Sequence, residues 1–430
     1  MIFLFFTALL AFYVALNLGA NDVANSMGTS VGSGAVTLRQ ALIIAGVLEF
    51  AGAMLLGQRV STTLAETVVD PTLFASVPTD FALGMVAALL TCGIWLQIAT
   101  TFGLPVSSSH AIVGAIAGFG WIAAGFNAVQ WQSIGVISIT WVLTPVVSGA
   151  IAAGLYSLVS RWIVQQPNPL QQLYEWIPWL STGLVTVFGF IVLPPLAQAL
   201  PLSQLPFNLP GHDWALFVGA IASVGLTLAM WRVAKRQIQP IPPSPQPGKT
   251  LVPSERIMAR FQLLSACFVA FAHGSNDVGN AIAPLGAIAH LQATGNVPLG
   301  NLTIPLWILV VGGGGIVFGL AIWGKNVITT IGENITRLQP SSGFCAELAT
   351  ATTTLTASYL GLPVSTSHAL VGAVVGIGFM QRAQAPSGDA IQLGTLRQIA
   401  LAWFVTIPAA VGLSVVLFAI LRVVNPIQFL

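Results

Sequence analysis

The sequence predicts an all-α polytopic membrane protein. About twelve transmembrane segments are expected in two inverted-topology repeats, with discontinuous or re-entrant helices at repeated polar motifs. Three observations lead there. The 430-residue chain is 55% hydrophobic and 6% charged, with a mean hydropathy of +0.87, against about 25% charged residues in a soluble domain. Its apolar residues run in stretches of membrane-crossing length. Two polar phrases occur twice: GANDVAN at Gly19–Asn25 returns as GSNDVGN at Gly274–Asn280, and GLPVSSSH at Gly103–His110 returns as GLPVSTSH at Gly361–His368. The intervals are 255 and 258 residues, so one long unit is used twice. A fainter echo, GQRVSTTL at Gly57–Leu64 against GKNVITTI at Gly324–Ile331, fits the same frame.

At roughly 20 residues per crossing, the apolar stretches fall near Ile2–Gly19, Ala41–Gly57, Phe81–Phe102, Val106–Gly125, Ile134–Val159, Trp176–Leu200 and Trp214–Trp231. After a break come Phe261–Leu291, Ile304–Trp323, Phe344–Leu360, Val364–Met380 and Ile399–Val424. The first lacks the basic start of a signal peptide, since the first Lys or Arg is Arg39; it ends in a repeated motif and is read as part of the mature protein. The first repeat is assigned to residues 1–160, intervening transmembrane segments to 161–231, and the second repeat to 261–430.

Between them, residues 232–260 form a basic, proline-rich connector. It holds six of the fourteen Lys and Arg residues (Arg232, Lys235, Arg236, Lys249, Arg256 and Arg260), and its middle, QPIPPSPQPGK, reads as an extended linker. The positive-inside rule places it in the cytoplasm. The almost uncharged connector around Leu200–Asp213 suits the outer side. Seven crossings before the basic loop put the amino terminus outside and make the repeats inverted. Segments at Pro105 and Pro363 that enter and leave by one face would alter the crossing count locally. Cys92, Cys267 and Cys345 are scattered in apolar stretches and read as small core residues, without disulfide or metal spacing. A net charge of +2 gives no reason to expect a nucleic-acid partner.

The Asn-Asp motif places a carboxylate where insertion costs about 2.5–3.5 kcal/mol. Asp22 and Asp277 each follow glycine, a small residue and asparagine, a run expected to unwind the helix and expose carbonyls. Asn21, Asp22 and Asn25, with Asn276, Asp277 and Asn280, add hard oxygen ligands suited to a small alkali cation. A lone copy would equally serve as a helix cap; two copies at matching places favour an ion site.

In the second motif, Pro105 and Pro363 are expected at the first position of a helix. Ser107, Ser108 and Ser109, with Ser365, Thr366 and Ser367, would then lie in first turns whose free N–H groups and hydroxyls cradle an anion. The plainer role is helix capping or packing. Neither motif contains Lys or Arg, so an anion beside Asp22 and Asp277 needs a bound cation between them. That arithmetic makes cation-coupled co-transport the natural mechanism, at a site where two repeats meet.

GANDVAN, GSNDVGN, GLPVSSSH and GLPVSTSH resemble the paired signatures of the inorganic phosphate transporter (PiT) family, across nearly the whole chain apart from the central loop. The resemblance implies symport of inorganic phosphate driven by Na⁺ or H⁺, inverted repeats, alternating access, a multi-pass protein of the inner or plasma membrane, and no cofactor. It also singles out Glu49 and Glu347 as carboxylates in functional contexts. Neither belongs to a symmetric pair, because Glu49 aligns with Ile316 and Glu347 with Leu89. With His273, whose counterpart is Leu18, they are the candidates for coupling or gating, above all if H⁺ is the coupling ion. A homodimer is compatible with such a carrier, although no residue pattern specifies one.

Other readings stay open. Hydroxyls and helix N-termini discriminate poorly among tetrahedral anions, so sulfate is an alternative cargo; the family resemblance adds a metal-phosphate complex moved with protons as another. A cation channel or exchanger would leave the serine motifs idle. The Ser109–His110 and Ser367–His368 neighbours do not make a hydrolase: adjacent helical side chains diverge by about 100°, and no acid follows to orient the imidazole. The two histidines are assigned a structural or gating role.

Overall fold

The computed structural model describes residues 2–102, 106–199, 211–238, 251–300, 302–331, 338–384 and 392–424. Twelve α-helices account for almost all of them: α1 (Ile2–Gly32), α2 (Leu38–Glu66), α3 (Pro78–Thr101), α4 (Ser108–Ala124), α5 (Trp131–Val159), α6 (Pro169–Ala199), α7 (Gly211–Ile238), α8 (Pro253–Thr294), α9 (Leu306–Ile331), α10 (Pro340–Tyr359), α11 (Thr366–Gln384) and α12 (Leu393–Val424). Each of the twelve apolar stretches coincides with one helix. Among the described residues there is no strand, only an isolated bridge between Val69 and Val129.

Among the described residues, nine helices are long and apolar enough to cross a membrane; α4, α10 and α11 fall outside that group. α4 has 17 residues, about 25 Å at 1.5 Å per residue, short of a hydrocarbon core of about 30 Å. α10 is diluted by its run of threonines. The outer surface is apolar, with Trp179, Phe190 and Phe404 all strongly exposed, as a bilayer-facing surface requires.

The two halves of the chain hold each other reciprocally. α1 packs on α9 and α2 on α8; α4 packs on α12 and α11 on α5. Glycines permit these approaches. A Cβ at Gly19 would overlap the backbone of Ile316, and one at Gly274 would overlap the backbone of Glu49. These are the same contact in repeat terms, because Gly19 corresponds to Gly274 and Ile316 to Glu49. Likewise Gly118 lies against the backbone of Val411, and its counterpart Gly376 against that of Gly149. One hydrophobic core gathers α1–α4 with the second half of α8 and with α9. A second gathers α5–α7 with the start of α8, α10 and α11, and a small third joins Leu56, Val192, Phe271, Ala272 and Leu355.

The basic connector is shorter than its composition suggests. Arg232–Ile238 continues α7, and Pro253–Arg260 opens α8. Glu255 holds the latter segment by accepting from the backbone N–H and hydroxyl of Ser341 at 2.8 and 2.7 Å. The proline-rich middle, residues 239–250, and most of the Leu200–Asp213 connector lie outside the described residues. The cysteines are all free, Cys92 and Cys345 buried and Cys267 partly so.

Candidate functional site

The expected unwinding at the Asn-Asp motifs does not occur. α1 is helical through Gly19–Asn25 and α8 through Gly274–Asn280. Two physical reasons emerge. The motif glycines serve close helix packing rather than a turn, and the asparagine side chains bond elsewhere instead of competing for their own backbone. Asn21 and Asn25 both donate to Asp22 Oδ1, at 3.2 and 3.0 Å. Asn276 donates to Ser358 Oγ and to the Leu362 carbonyl, both at 3.1 Å, and accepts from the Val364 N–H at 3.3 Å. Any cation held here is therefore met by side-chain oxygens rather than by freed carbonyls.

The second motif also differs from expectation. Gly361, at φ 72°, ends α10: its N–H reaches the Ser358 carbonyl at 3.0 Å, and the Leu362 N–H reaches that of Ala357 at 2.8 Å. This pair of bonds is a left-handed helix stop. Pro363 then lies outside the next helix, its carbonyl accepting from Trp141 Nε1 at 2.9 Å, and not at the first helical position. Pro105 lies outside the described residues. Ser107 and Ser365 are capping residues, each accepting from the N–H of the histidine three residues on, at 3.3 Å. Only Ser108 and Ser109, with Thr366 and Ser367, occupy the first turns. Ser365 and Ser367 share a hydrogen bond of 2.8 Å.

The two motifs converge at the centre of the molecule. Ser108 Oγ donates to Asp22 Oδ2 at 3.5 Å, and its counterpart Thr366 donates to Asp277 Oδ2 at 3.0 Å. Asn280 bridges the halves, its amide reaching Ser108 and Ser109 at 3.2 and 3.4 Å. Ser109 Oγ in turn donates to the Val364 carbonyl at 2.8 Å. The buried acceptors Asp277 Oδ1 and Asn280 Oδ1 have no hydrogen-bond partner among the described residues. Buried acceptors left bare are costly; beside a carboxylate they fit a hard cation.

The asymmetric residue His273 sits among the acids. Its Nε2 is 3.0 Å from Asp277 Oδ2 and 3.9 Å from Asp22 Oδ2, while Nδ1 is 3.1 Å from Glu49 Oε2. These are ion-pair distances without aligned N–H bonds, since both ring nitrogens lack a directed partner. Glu49 also accepts from Ser26 Oγ at 3.0 Å. His273 and Glu49 are fully buried. One atom each from Asp22, His273 and Asp277 forms a group within 4.8 Å.

Glu347 forms a separate cluster. Oε1 accepts from Thr29, Ser30 and Gln262 at 2.6, 2.7 and 3.1 Å, and Oε2 from Ser265 at 2.9 Å. None of the four donors is repeated in the other half, so the repeat pattern does not mark them. Thr100 and Ser358 were detectable: they stand three residues before Gly103 and Gly361, and they contact Asn21 (3.5 Å) and Asn276 respectively. His110 and His368 face each other edge-on, ring centroids 4.8 Å apart. Nδ1 of each meets a backbone carbonyl from the opposite half, Trp403 for His110 at 3.3 Å and Trp141 for His368 at 3.2 Å. These bonds tie each serine helix to the other repeat.

The fold and site together are those of a multi-pass integral membrane transport protein. The profile of the phosphate transporter family matches residues 18–414. A candidate phosphate permease of Chlamydia pneumoniae is 39% identical, with 97% of this chain and 98% of that protein covered. The chloroplastic inorganic phosphate transporter 2-1 of Arabidopsis thaliana is 39% identical over 95% of this chain and 70% of that protein. A solved structure of a sodium-dependent phosphate transporter superposes with a TM-score of 0.86 at 34% identity, covering 99% of this chain and 100% of that one. The chain belongs to the phosphate transporter family.

Proposed function

We propose that this chain is a cation-coupled symporter of inorganic phosphate in the cell membrane, with Na⁺ favoured over H⁺, working by alternating access between inverted repeats. The observation that carries this reading is the direct contact of the two motifs. Asp22 and Asp277 each accept a hydroxyl from the serine motif of their own half. A cation bound at these carboxylates offsets the negative charge that would otherwise repel an anion held by Ser108, Ser109, Thr366 and Ser367. The free acceptors of Asp277 and Asn280 are the oxygens such a cation would take, and the sodium dependence of the structural neighbour supports Na⁺. Glu49, Glu347 and His273 are the gating residues, acting on charge around the site, and would become the coupling residues if H⁺ replaced Na⁺.

The test is radiolabelled phosphate uptake into proteoliposomes with an inward Na⁺ gradient, an inward H⁺ gradient, or neither. Saturable uptake stimulated by Na⁺, and needing far more Na⁺ in Asp277→Asn, is the expected result. Full uptake without either gradient would overturn coupling, and stimulation by H⁺ alone would move it to Glu49, Glu347 and His273. Unlabelled sulfate competing as well as phosphate would overturn the choice of anion.

A further inference from the structure

Arg59 places a cation at the depth of the ion site. α2 runs alongside α8 in the same direction: Gly52 lies against Phe271, Gly57 against Val278, and Gly279 against Val60. Arg59 therefore stands level with Val278 and Gly279, between Asp277 and Asn280, on the exposed face of α2. A charged side chain at such a depth is costly to place; it faces a bundle interior or cavity and pairs with another charge or a backbone carbonyl. Here the guanidinium Nη1 donates to the Tyr359 carbonyl at 2.6 Å, and its central carbon sits 4.5 Å from the centre of the Tyr359 ring.

That carbonyl is one the helix end leaves open. As α10 stops, the N–H groups of Leu360, Gly361 and Leu362 take the carbonyls of Thr356, Ser358 and Ala357. The Tyr359 carbonyl is met by Arg59 from another helix, a cation at a helix C-terminus, where the dipole favours one. The backbones close in as well. An added Cβ at Gly361 would lie 3.1 Å from Thr63 Oγ1 and 3.3 Å from the Arg59 carbonyl. From this clasp the chain runs through Leu362, Pro363 and Val364, whose carbonyls bond to Asn276, Trp141 and Ser109, into the second serine motif. The sequence has no matching pair in the other repeat, because Arg59 corresponds to Asn326 and Tyr359 to Thr101.

We propose that Arg59 is a positioning residue for the anion site. It clasps the end of α10 from outside, while Asn276, Trp141 and Ser109 hold the turn from within, so that Thr366 and Ser367 are presented in fixed register beside Asp277. The proposal rests on the assignment of the serine motifs to the anion. It gives the chain a use for a membrane-depth arginine that neither repeated motif contains.

The experiment is hydrogen–deuterium exchange of the full-length protein in detergent, read alongside phosphate uptake into proteoliposomes. Arg59→Gln should speed exchange in the turn, residues 360–366, about tenfold, the effect of losing one hydrogen bond from a charged donor. Exchange earlier in α10, in residues 344–353, should stay as in the wild type. The half-saturating phosphate concentration should rise about tenfold with the maximal rate kept, a split that general loss of packing would not give. Arg59→Lys, which keeps the charge but not the planar fork, should recover part of both effects. Arg39→Gln, which removes a cation from the exposed start of the same helix, should show neither. Faster exchange along all of α10, or faster turn exchange with an unchanged half-saturating concentration, would overturn the proposal. Wild-type turn exchange in Arg59→Gln, with Na⁺-driven phosphate uptake intact, would overturn the clasp alone. Uptake of sulfate in place of phosphate, weakened in the same way by Arg59→Gln, would overturn the choice of anion and support the clasp.

Discussion

His273 Nδ1 lies 3.1 Å from Glu49 Oε2, and the next residue, Gly274, closes against the backbone that carries that same glutamate. Charge and backbone packing therefore lock α8 to α2 at a single level. Removing one member of a buried ion pair leaves the other uncompensated, at a typical cost of 3–5 kcal/mol, whereas removing both costs much less. Glu49→Gln and His273→Gln should each lower the unfolding midpoint in detergent. The double variant should recover part of the loss. Strictly additive effects in this double-mutant cycle would show that the two side chains do not act as a pair.

The glycine contacts make a second prediction. Gly19→Ala and Gly274→Ala place a methyl group in a neighbouring helix backbone and should destabilise by about 1–3 kcal/mol, with transport lost in step. Gly183→Ala on α6, where nothing lies within 4 Å of the new Cβ, should leave stability unchanged or raise it by up to about 1 kcal/mol. Thermal unfolding of the three variants side by side is the measurement.

The two aspartates should not be equivalent. Asp22 Oδ1 accepts from both Asn21 and Asn25, whereas Asp277 Oδ1 has no hydrogen-bond partner among the described residues. Asp277→Asn is therefore expected to raise the half-saturating Na⁺ concentration by tenfold or more, about the worth of a charged contact. Asp22→Asn should raise it by less. Na⁺ titration of phosphate uptake decides the order, and the reverse order would displace the cation from Asp277.

Adjacent serines separate capping from binding. Ser107→Ala removes a helix cap and should cost about 1 kcal/mol of stability with little change in the half-saturating phosphate concentration. Ser108→Ala spares the cap and should raise that concentration. If Ser107→Ala weakens phosphate binding as much as Ser108→Ala does, the anion reaches past the first turn to the capping hydroxyl.

Much of this was legible before any coordinates. Twelve apolar stretches became twelve helices, and the repeated phrases led to the residues that meet at the centre. What escaped was of two kinds. The motif glycines read as helix breakers and Pro363 as a helix start, but Gly19 and Gly274 serve helix contact and Pro363 follows a helix stop. A local pattern does not say whether a glycine bends its own chain or admits another one. The second kind comprises polar residues present in one half only. Thr29, Ser30, Gln262 and Ser265 are scattered hydroxyls and an amide that acquire meaning only when α1 and α8 bring them to Glu347. His273 stands out in the sequence as an unpaired coupling candidate beside the second copy of the Asn-Asp motif; three acids from α1, α2 and α8 around it are a tertiary fact.

The exchanged packing of the halves also dictates a timetable for biogenesis. Gly19 enters the bilayer early in synthesis, yet the backbone that closes over it belongs to Ile316, made almost three hundred residues later. Gly52 must likewise await Phe271, and Asn21 and Asp22 remain without their opposing half for the same interval. A nascent chain stopped after α7 thus holds the Asn21–Asp22 motif in lipid with its seam unclosed. Such distant pairings are slow to form because the intervening loop must close first. The first half is therefore the segment most dependent on membrane insertion factors, and its protection from proteolysis should appear abruptly once α9 has been inserted.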